Sequence, residues 1–157
     1  MTNETVATTT EAEALRIVHN NLAWSAGAGL IPMPMLDVAA ITGVQLKMVK
    51  ELADLYDIPF SANAGKSVIG ALVSGGGSYL LAGPAGSLVK SLPVVGQIAG
   101  MLALPAIAVA ATYALGKVFI QHFESGGTLL DLDPEKVRAY YQEQYNTHRR
   151  GARKTSA

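Results

Sequence analysis

Few residues of this chain have the types and spacing that chemistry requires, and the most suggestive group is Gly65-Lys66-Ser67. This triplet has the ending of a nucleotide-binding P-loop, whose backbone amides and lysine hold phosphate groups. The full motif needs another glycine five residues earlier, after a strand. Phe60 occupies that position, and the segment before it is rich in helix-forming residues. We therefore do not assign a nucleotide site, and we interpret Lys66 as the water boundary of a helix.

The three histidines, His19, His122 and His148, lie on different predicted elements and have no partner at i+4. No cluster of histidines and carboxylates matches a metal site, and cysteine is absent, which excludes disulfides and thiol catalysis. No group of residues supplies a nucleophile, a base and an oxyanion site together. We expect no enzyme activity, metal or other cofactor. We expect His122 to lie at an interface or to satisfy nearby carbonyl groups.

With histidine counted as neutral, Asp37 is the one charged residue between Arg16 and Lys47, which makes it the first candidate for a functional group. Near a predicted helix start, its carboxylate would interact favourably with the helix dipole and free amides. The alternative is an intramembrane carboxylate facing a polar cavity or cation path, with Gln97 opposite it. Both interpretations stay open at this point.

An apolar stretch of 50 residues, 67–116, carries one charge, Lys90. On either side of Lys90 the sequence is long enough for a helix that crosses hydrocarbon, which needs roughly 20 residues. Glycines and prolines interrupt both halves, and inside lipid their backbone groups need partners. The stretch therefore predicts a packed apolar hairpin, in a membrane or in the core of a soluble helical domain. Gly96 and Gly100 form a small-xxx-small pattern on which another helix could pack.

Helical periodicity predicts an all-α fold of four or five helices around this hairpin. Residues 1–9 are polar and predict a disordered lead-in, with a capping box at Thr10 and Glu13 opening the first helix. Lys47, Lys50, Glu51 and Asp54 form a charged stripe on the second helix. Asp133 and Pro134 are typical of an N-cap and first residue of the last helix, and residues 149–157 predict a basic flexible tail. We expect one helical domain over residues 10–148.

A sequence echo relates two segments, Leu30-Ile31-Pro32 before Leu36 and Ser91-Leu92-Pro93 before Gly96. Each precedes a predicted long helix. The echo is compatible with two helix-turn-helix halves, or with a chance repetition of an apolar-proline turn.

Composition favours a membrane or a large partner. The chain is 50% hydrophobic but 15% charged, whereas soluble domains average about 25% charged residues. The formal net charge is zero, so no basic field attracts nucleic acid. The start of the chain resembles no export signal, so we expect the termini in the cytoplasm.

Several motifs occur in an order that resembles the YcjF-like domain of unknown function. They cover most of the chain and end near Tyr145: residues 24–48, 51–56, 59–61, 65–67, 92–96, 111–117 and 122–127. The resemblance implies a helical, often membrane-assigned domain that occurs beside small GTPase domains in longer relatives. It implies no activity and no catalytic residue.

We expect a non-enzymatic membrane-associated scaffold or adapter at the cytoplasmic membrane. It would self-associate through small-residue faces and work with a separate GTPase. The alternatives are a small transport or permeation component that uses Asp37 and a soluble, cytoplasmic helical oligomerisation domain.

Overall fold

The computed structural model describes the backbone of residues 2–28, 34–82 and 95–155, and side chains over 6–28, 39–74, 105–152 and 154–155. These residues form helices and no strand, which confirms the predicted all-α class. The helices are α1 (Thr2–Ala28), α2 (Pro34–Leu55), α3 (Ala62–Ala82), α4 (Val95–Glu124) and α5 (Pro134–Thr155). The predicted hairpin turn and most of the sequence echo lie outside the described residues.

Helix α4 lies at the centre and contacts all four other helices. Up to Gly116 its sequence is apolar on every side, which predicts burial in protein or in lipid. From Ala108 to Ile120 most of its residues are buried, including Leu115 and Phe119. Val18 of α1, Leu52 of α2, Leu72 of α3 and Tyr141 of α5 complete one core.

Contacts between side chains fix the helix directions. Gln45 and Tyr56 reach Thr112 and Glu124, so α2 runs parallel to α4. The Ser25 hydroxyl of α1 hydrogen-bonds the Thr112 hydroxyl of α4, whereas Val18 packs on Gly116. Helix α1 therefore runs antiparallel to α4. The Tyr113 ring lies 4.7 Å from the His148 ring. Since α5 starts from the loop that follows α4, it also runs antiparallel to α4.

Helix ends use the expected chemistry where the sequence signalled it. Asp133 Oδ1 accepts a hydrogen bond from the Glu135 amide at 3.0 Å, and Pro134 opens α5, so that predicted cap is confirmed. The end of α4 is a Schellman turn, in which Gly126 has φ 84° and the Gly127 amide bonds the His122 carbonyl. The stripe on α2 is confirmed as the exposed pairs Lys47–Glu51 and Lys50–Asp54.

Three boundaries differ from the sequence expectations. Helix α1 begins at Thr2, before the expected cap, and the Thr10 hydroxyl bonds the Val6 carbonyl within the helix. Helix α3 continues through Gly75-Gly76-Gly77, where we expected irregular backbone. Helix α5 extends to Thr155 into the expected flexible tail. In each case the intrinsic helix propensity of the residues predicted a shorter helix than the one observed, because packing in the folded protein overrides propensity.

Candidate functional site

The bundle has two chemically different ends. At the apolar end, defined by the helix termini Ala28, Pro34, Ala82 and Val95, the adjoining helical turns carry Asp37 as their one acidic or basic residue within the described ranges. The opposite, charged end holds the α2–α3 and α4–α5 connections. Most acidic residues lie there: Glu11, Glu13, Asp54, Asp57, Glu124, Asp131, Asp133 and Glu135. Apart from the cations in the last turns of α5, the charged residues are therefore separated along the bundle axis from the uncharged helical turns.

A buried polar junction connects α1, α2 and α4 between these ends. It consists of Asn21, Ser25, Gln45 and Thr112, each at most 1% exposed. The Ser25 and Thr112 hydroxyls lie 2.8 Å apart, and Gln45 Nε2 donates to Thr112 Oγ1 at 3.3 Å. The Thr112 hydroxyl thus links three helices in one cross-section of the core.

Asn21 extends the junction to the surface. Its Nδ2 donates to the Ile17 carbonyl at 2.9 Å and to Glu51 Oε2 at 2.7 Å. Lys47 Nζ lies 3.4 Å from Asn21 Oδ1 and 2.7 Å from Glu51 Oε1. Because buried polar groups are costly without partners, the junction penalises alternative registers of α1 against α2 and α4.

This junction was not predicted from the sequence, although the positions of its α1 residues carry a readable signal. Ala14, Val18, Asn21, Ser25 and Ala28 follow one another at spacings of four, three, four and three residues, which place them on one helix face. All five are buried. Asn21 and Ser25 therefore occupied core positions in the sequence, but their partners on α2 and α4 could not be read from it.

A second cluster joins α1, α4 and α5 through aromatic rings. The Tyr113 ring contacts the His148 ring at 4.7 Å and the His19 ring at 6.3 Å. His19 Nδ1 lies 2.7 Å from the Leu15 carbonyl oxygen. Burial, and secondly the nearby His19, lower the pKa of His148 below its usual 6.5. The cluster favours a neutral His148.

At the charged end His122 closes the α4–α5 connection. Its Nε2 lies 2.9 Å from both the Thr128 carbonyl oxygen and Asp131 Oδ1. Both are acceptors, so Nε2 carries the proton. The Thr128 amide, and then the His122 ring, lower the pKa of Asp131. The expectation that His122 satisfies a nearby carbonyl is confirmed.

The other predicted site residues lie at the apolar end. Asp37 is in the first turn of α2, whereas Gln97, Gly96 and Gly100 are in the first two turns of α4. Since α2 and α4 are parallel, Asp37 and Gln97 share the same end of the bundle. The side chains of Asp37 and Gln97 and the surroundings of the two glycines lie outside the described part, so the roles of all four residues stay predictions. Among the described side chains, no group of three His, Asp or Glu residues could hold a metal ion.

One helical segment of the described residues, Pro105–Glu124, is long and apolar enough to cross a membrane. Within it, 61% of the most apolar window is buried inside the bundle. The core helix of a soluble protein meets the same criterion, so this segment alone is weak support for a membrane span.

Comparisons with known proteins identify the family of the chain. The model of the family DUF697, a domain of unknown function, matches residues 1–150, and the chain belongs to this family. It is also similar to Magnetosome membrane protein 22 of Magnetospirillum gryphiswaldense, with 41% identity over 131 residues. That alignment covers 83% of this chain and 67% of the relative. No solved structure matches the chain.

Proposed function

We propose that this protein is a non-enzymatic helical scaffold anchored in the cytoplasmic membrane by its apolar end, with both termini in the cytoplasm. Residues 10–148 form the membrane-associated domain in this proposal. The charged end projects into water and presents the α2–α3 and α4–α5 connections to partners. The apolar end inserts into lipid.

The observation that carries the proposal is the separation of charge along the bundle. From Thr112 to Val95, α4 contains no charged residue. At 1.5 Å per residue these 17 steps span about 26 Å, close to the roughly 30 Å of bilayer hydrocarbon. The membrane location of a relative with 41% identity supports the same interpretation.

Alkaline carbonate extraction tests this anchoring. Membranes from cells that express the full chain are washed with carbonate and separated from the supernatant, with a peripheral and an integral protein as references. We expect the protein to stay in the pellet. A monodisperse, detergent-free monomer in the soluble fraction would refute the proposal. A soluble oligomer would support the oligomerisation alternative instead.

A GTPase partner forms a further part of the proposal and comes from the resemblance to YcjF-like domains. The charged end is the surface available to such a partner in the cytoplasm. Co-purification from cells with GDP or a GTP analogue tests this part. We expect recovery of a GTPase to depend on the nucleotide, and equal recovery would argue against a regulated partnership.

Self-association is proposed through Gly96 and Gly100, which lie four residues apart on α4. Replacing both with leucine would prevent close helix approach. In crosslinking of native membranes we expect G96L/G100L to lose the dimer band, whereas Gly43→Leu, on the exposed side of α2, retains it. Equal crosslinking of both variants would exclude this helix face.

The second candidate function is cation permeation through the apolar end. It is favoured by Asp37 and Gln97, which lie in the first turns of two parallel helices at that end. An intramembrane carboxylate commonly marks an ion pathway. Flux measured in proteoliposomes separates the candidates: a permeation component loses flux in Asp37→Asn, whereas a scaffold shows none to lose.

A further inference from the structure

The C-terminal turns of α5 are the most strongly basic part of the described chain. After Glu143 no acidic residue follows, whereas Arg149, Arg150, Arg153 and Lys154 lie within six positions. The zero net charge of the whole chain therefore conceals two regions of opposite sign. We propose that this basic segment binds the headgroups of anionic lipids, an inference that rests on the membrane anchoring proposed above.

Cations that form no ion pair with a described residue are clustered in this segment, whereas the others, Arg16, Lys66 and Lys117, lie singly on three different helices. Lys47, Lys50, Lys136 and Arg138 each lie within 4 Å of a carboxylate. Arg150 and Lys154 are exposed and form no ion pair with a described residue. Arg149 lies over the Tyr145 ring at 5.7 Å, which orients that side chain without neutralising it. The positive charge of this segment is thus available to an external anion.

The position of the segment indicates which anion it meets. His148 lies beside Tyr113 of α4, and α5 runs antiparallel to α4. The seven residues from His148 to Thr155 advance about 10 Å toward the apolar end. Arg149 and Arg150 therefore lie within about 3 Å of the level of Tyr113, where inserted helices would leave lipid, and Lys154, about 9 Å further along the axis, can extend its long side chain back toward that level. Basic residues at this level attract anionic headgroups.

Trp24 marks the same level on α1. Its neighbour Ser25 bonds Thr112, which adjoins Tyr113, and the Trp24 side chain is 68% exposed. Exposed tryptophans are enriched where helices pass from hydrocarbon to headgroups. Trp24 and the basic segment thus define one interfacial plane across the bundle.

The chain provides its own reporter, because Trp24 is its one tryptophan. The full chain is reconstituted into nanodiscs of phosphatidylcholine and phosphatidylglycerol in which one lipid is brominated, and Trp24 quenching is measured for each. At low salt we expect phosphatidylglycerol to be enriched around the protein by roughly tenfold. The enrichment should decrease in 1 M salt, where screening shortens the range of the attraction to about 3 Å.

The decisive comparison uses two variants that each remove two cations. R150Q/K154Q should lower the phosphatidylglycerol enrichment from roughly tenfold to less than about twofold. K50Q/K136Q, on the surface nearer the charged end, should retain the roughly tenfold enrichment. Equal quenching by both lipids in the unmodified chain, or equal losses in both variants, would overturn the lipid inference and leave the membrane anchoring intact. Absence of quenching by either lipid would overturn both.

Discussion

At the scale of single residues, Gly116 of α4 permits the close approach of α1. A Cβ atom at this position would overlap both methyl groups of Val18. Val18 is fully buried and β-branched, so it has few alternative rotamers. The central helix can therefore lie against α1 only because residue 116 lacks a side chain.

We predict that Gly116→Ala lowers the free energy of unfolding by about 1–3 kcal/mol through overpacking. The matched control is Gly43→Ala, because a Cβ at Gly43 meets no atom within 4 Å and alanine should stabilise the helix by about 0.4–1 kcal/mol. Denaturant titration followed by circular dichroism measures both. The double variant V18A/G116A should lose less stability than the sum of the single changes, and additivity would contradict the contact.

Thr112 gives a second test at this scale, because its hydroxyl joins Ser25 and Gln45. Thr112→Val keeps the shape but leaves two buried polar groups without this partner, which should cost about 1–3 kcal/mol. Thr112→Ser should retain most of the stability. The same titration measures both, and equal stability of the valine variant and the parent protein would show that the junction contributes nothing.

At the scale of elements, the α4–α5 connection is held by local hydrogen bonds to Asp131, Asp133 and His122. The N-cap bond from Asp133 satisfies a free amide of α5. We predict that Asp133→Ala destabilises the protein by about 1 kcal/mol, whereas Asp133→Ser, also a good N-cap, costs a few tenths. Thermal unfolding compares the two variants. A serine variant as weak as the alanine variant would indicate that the carboxylate acts through another contact.

The contact of α1, α4 and α5 around His148 predicts that the stability of the protein depends on pH. The pKa of His148 is lowered from 6.5 in the folded protein, so the unfolded chain binds a proton more readily. The resulting stability is present above pH 6.5 and is lost as pH falls through the lower, folded pKa. An NMR titration should find the His148 pKa below 6.5, and His19→Gln should raise it part of the way back. A pKa at or above 6.5 would contradict the burial of this ring.

At the scale of the whole molecule, much of the architecture follows from the sequence. The apolar pattern of 97–116 predicted a long helix, which α4 confirms, and Asp133-Pro134 located the start of α5. The start of α1 could not be predicted from the sequence, because a threonine such as Thr10 is compatible with both an N-cap and a helix interior. The polar junction needed knowledge of which helix faces meet. Asp37 and Gln97 keep the status of predictions, since their roles depend on side chains outside the described part.

The whole molecule has an apolar end and a charged end along one axis. The proposed membrane anchoring requires that lipid covers the apolar end. Ala106 and Gln121 test this on a single helix. Both side chains are exposed on α4, and they lie 15 residues apart, or about 22 Å. The absence of native cysteine means that a single introduced thiol reports one position without background.

The most direct measurement is therefore labelling of Ala106→Cys and Gln121→Cys with a membrane-impermeant maleimide, in membrane fragments open to both faces. We predict rapid labelling at position 121 and protection at position 106, with both thiols reacting after solubilisation in SDS. Lipid, and not the bundle, would then cover position 106. Equal labelling of the two thiols in intact membranes would contradict insertion of the apolar end.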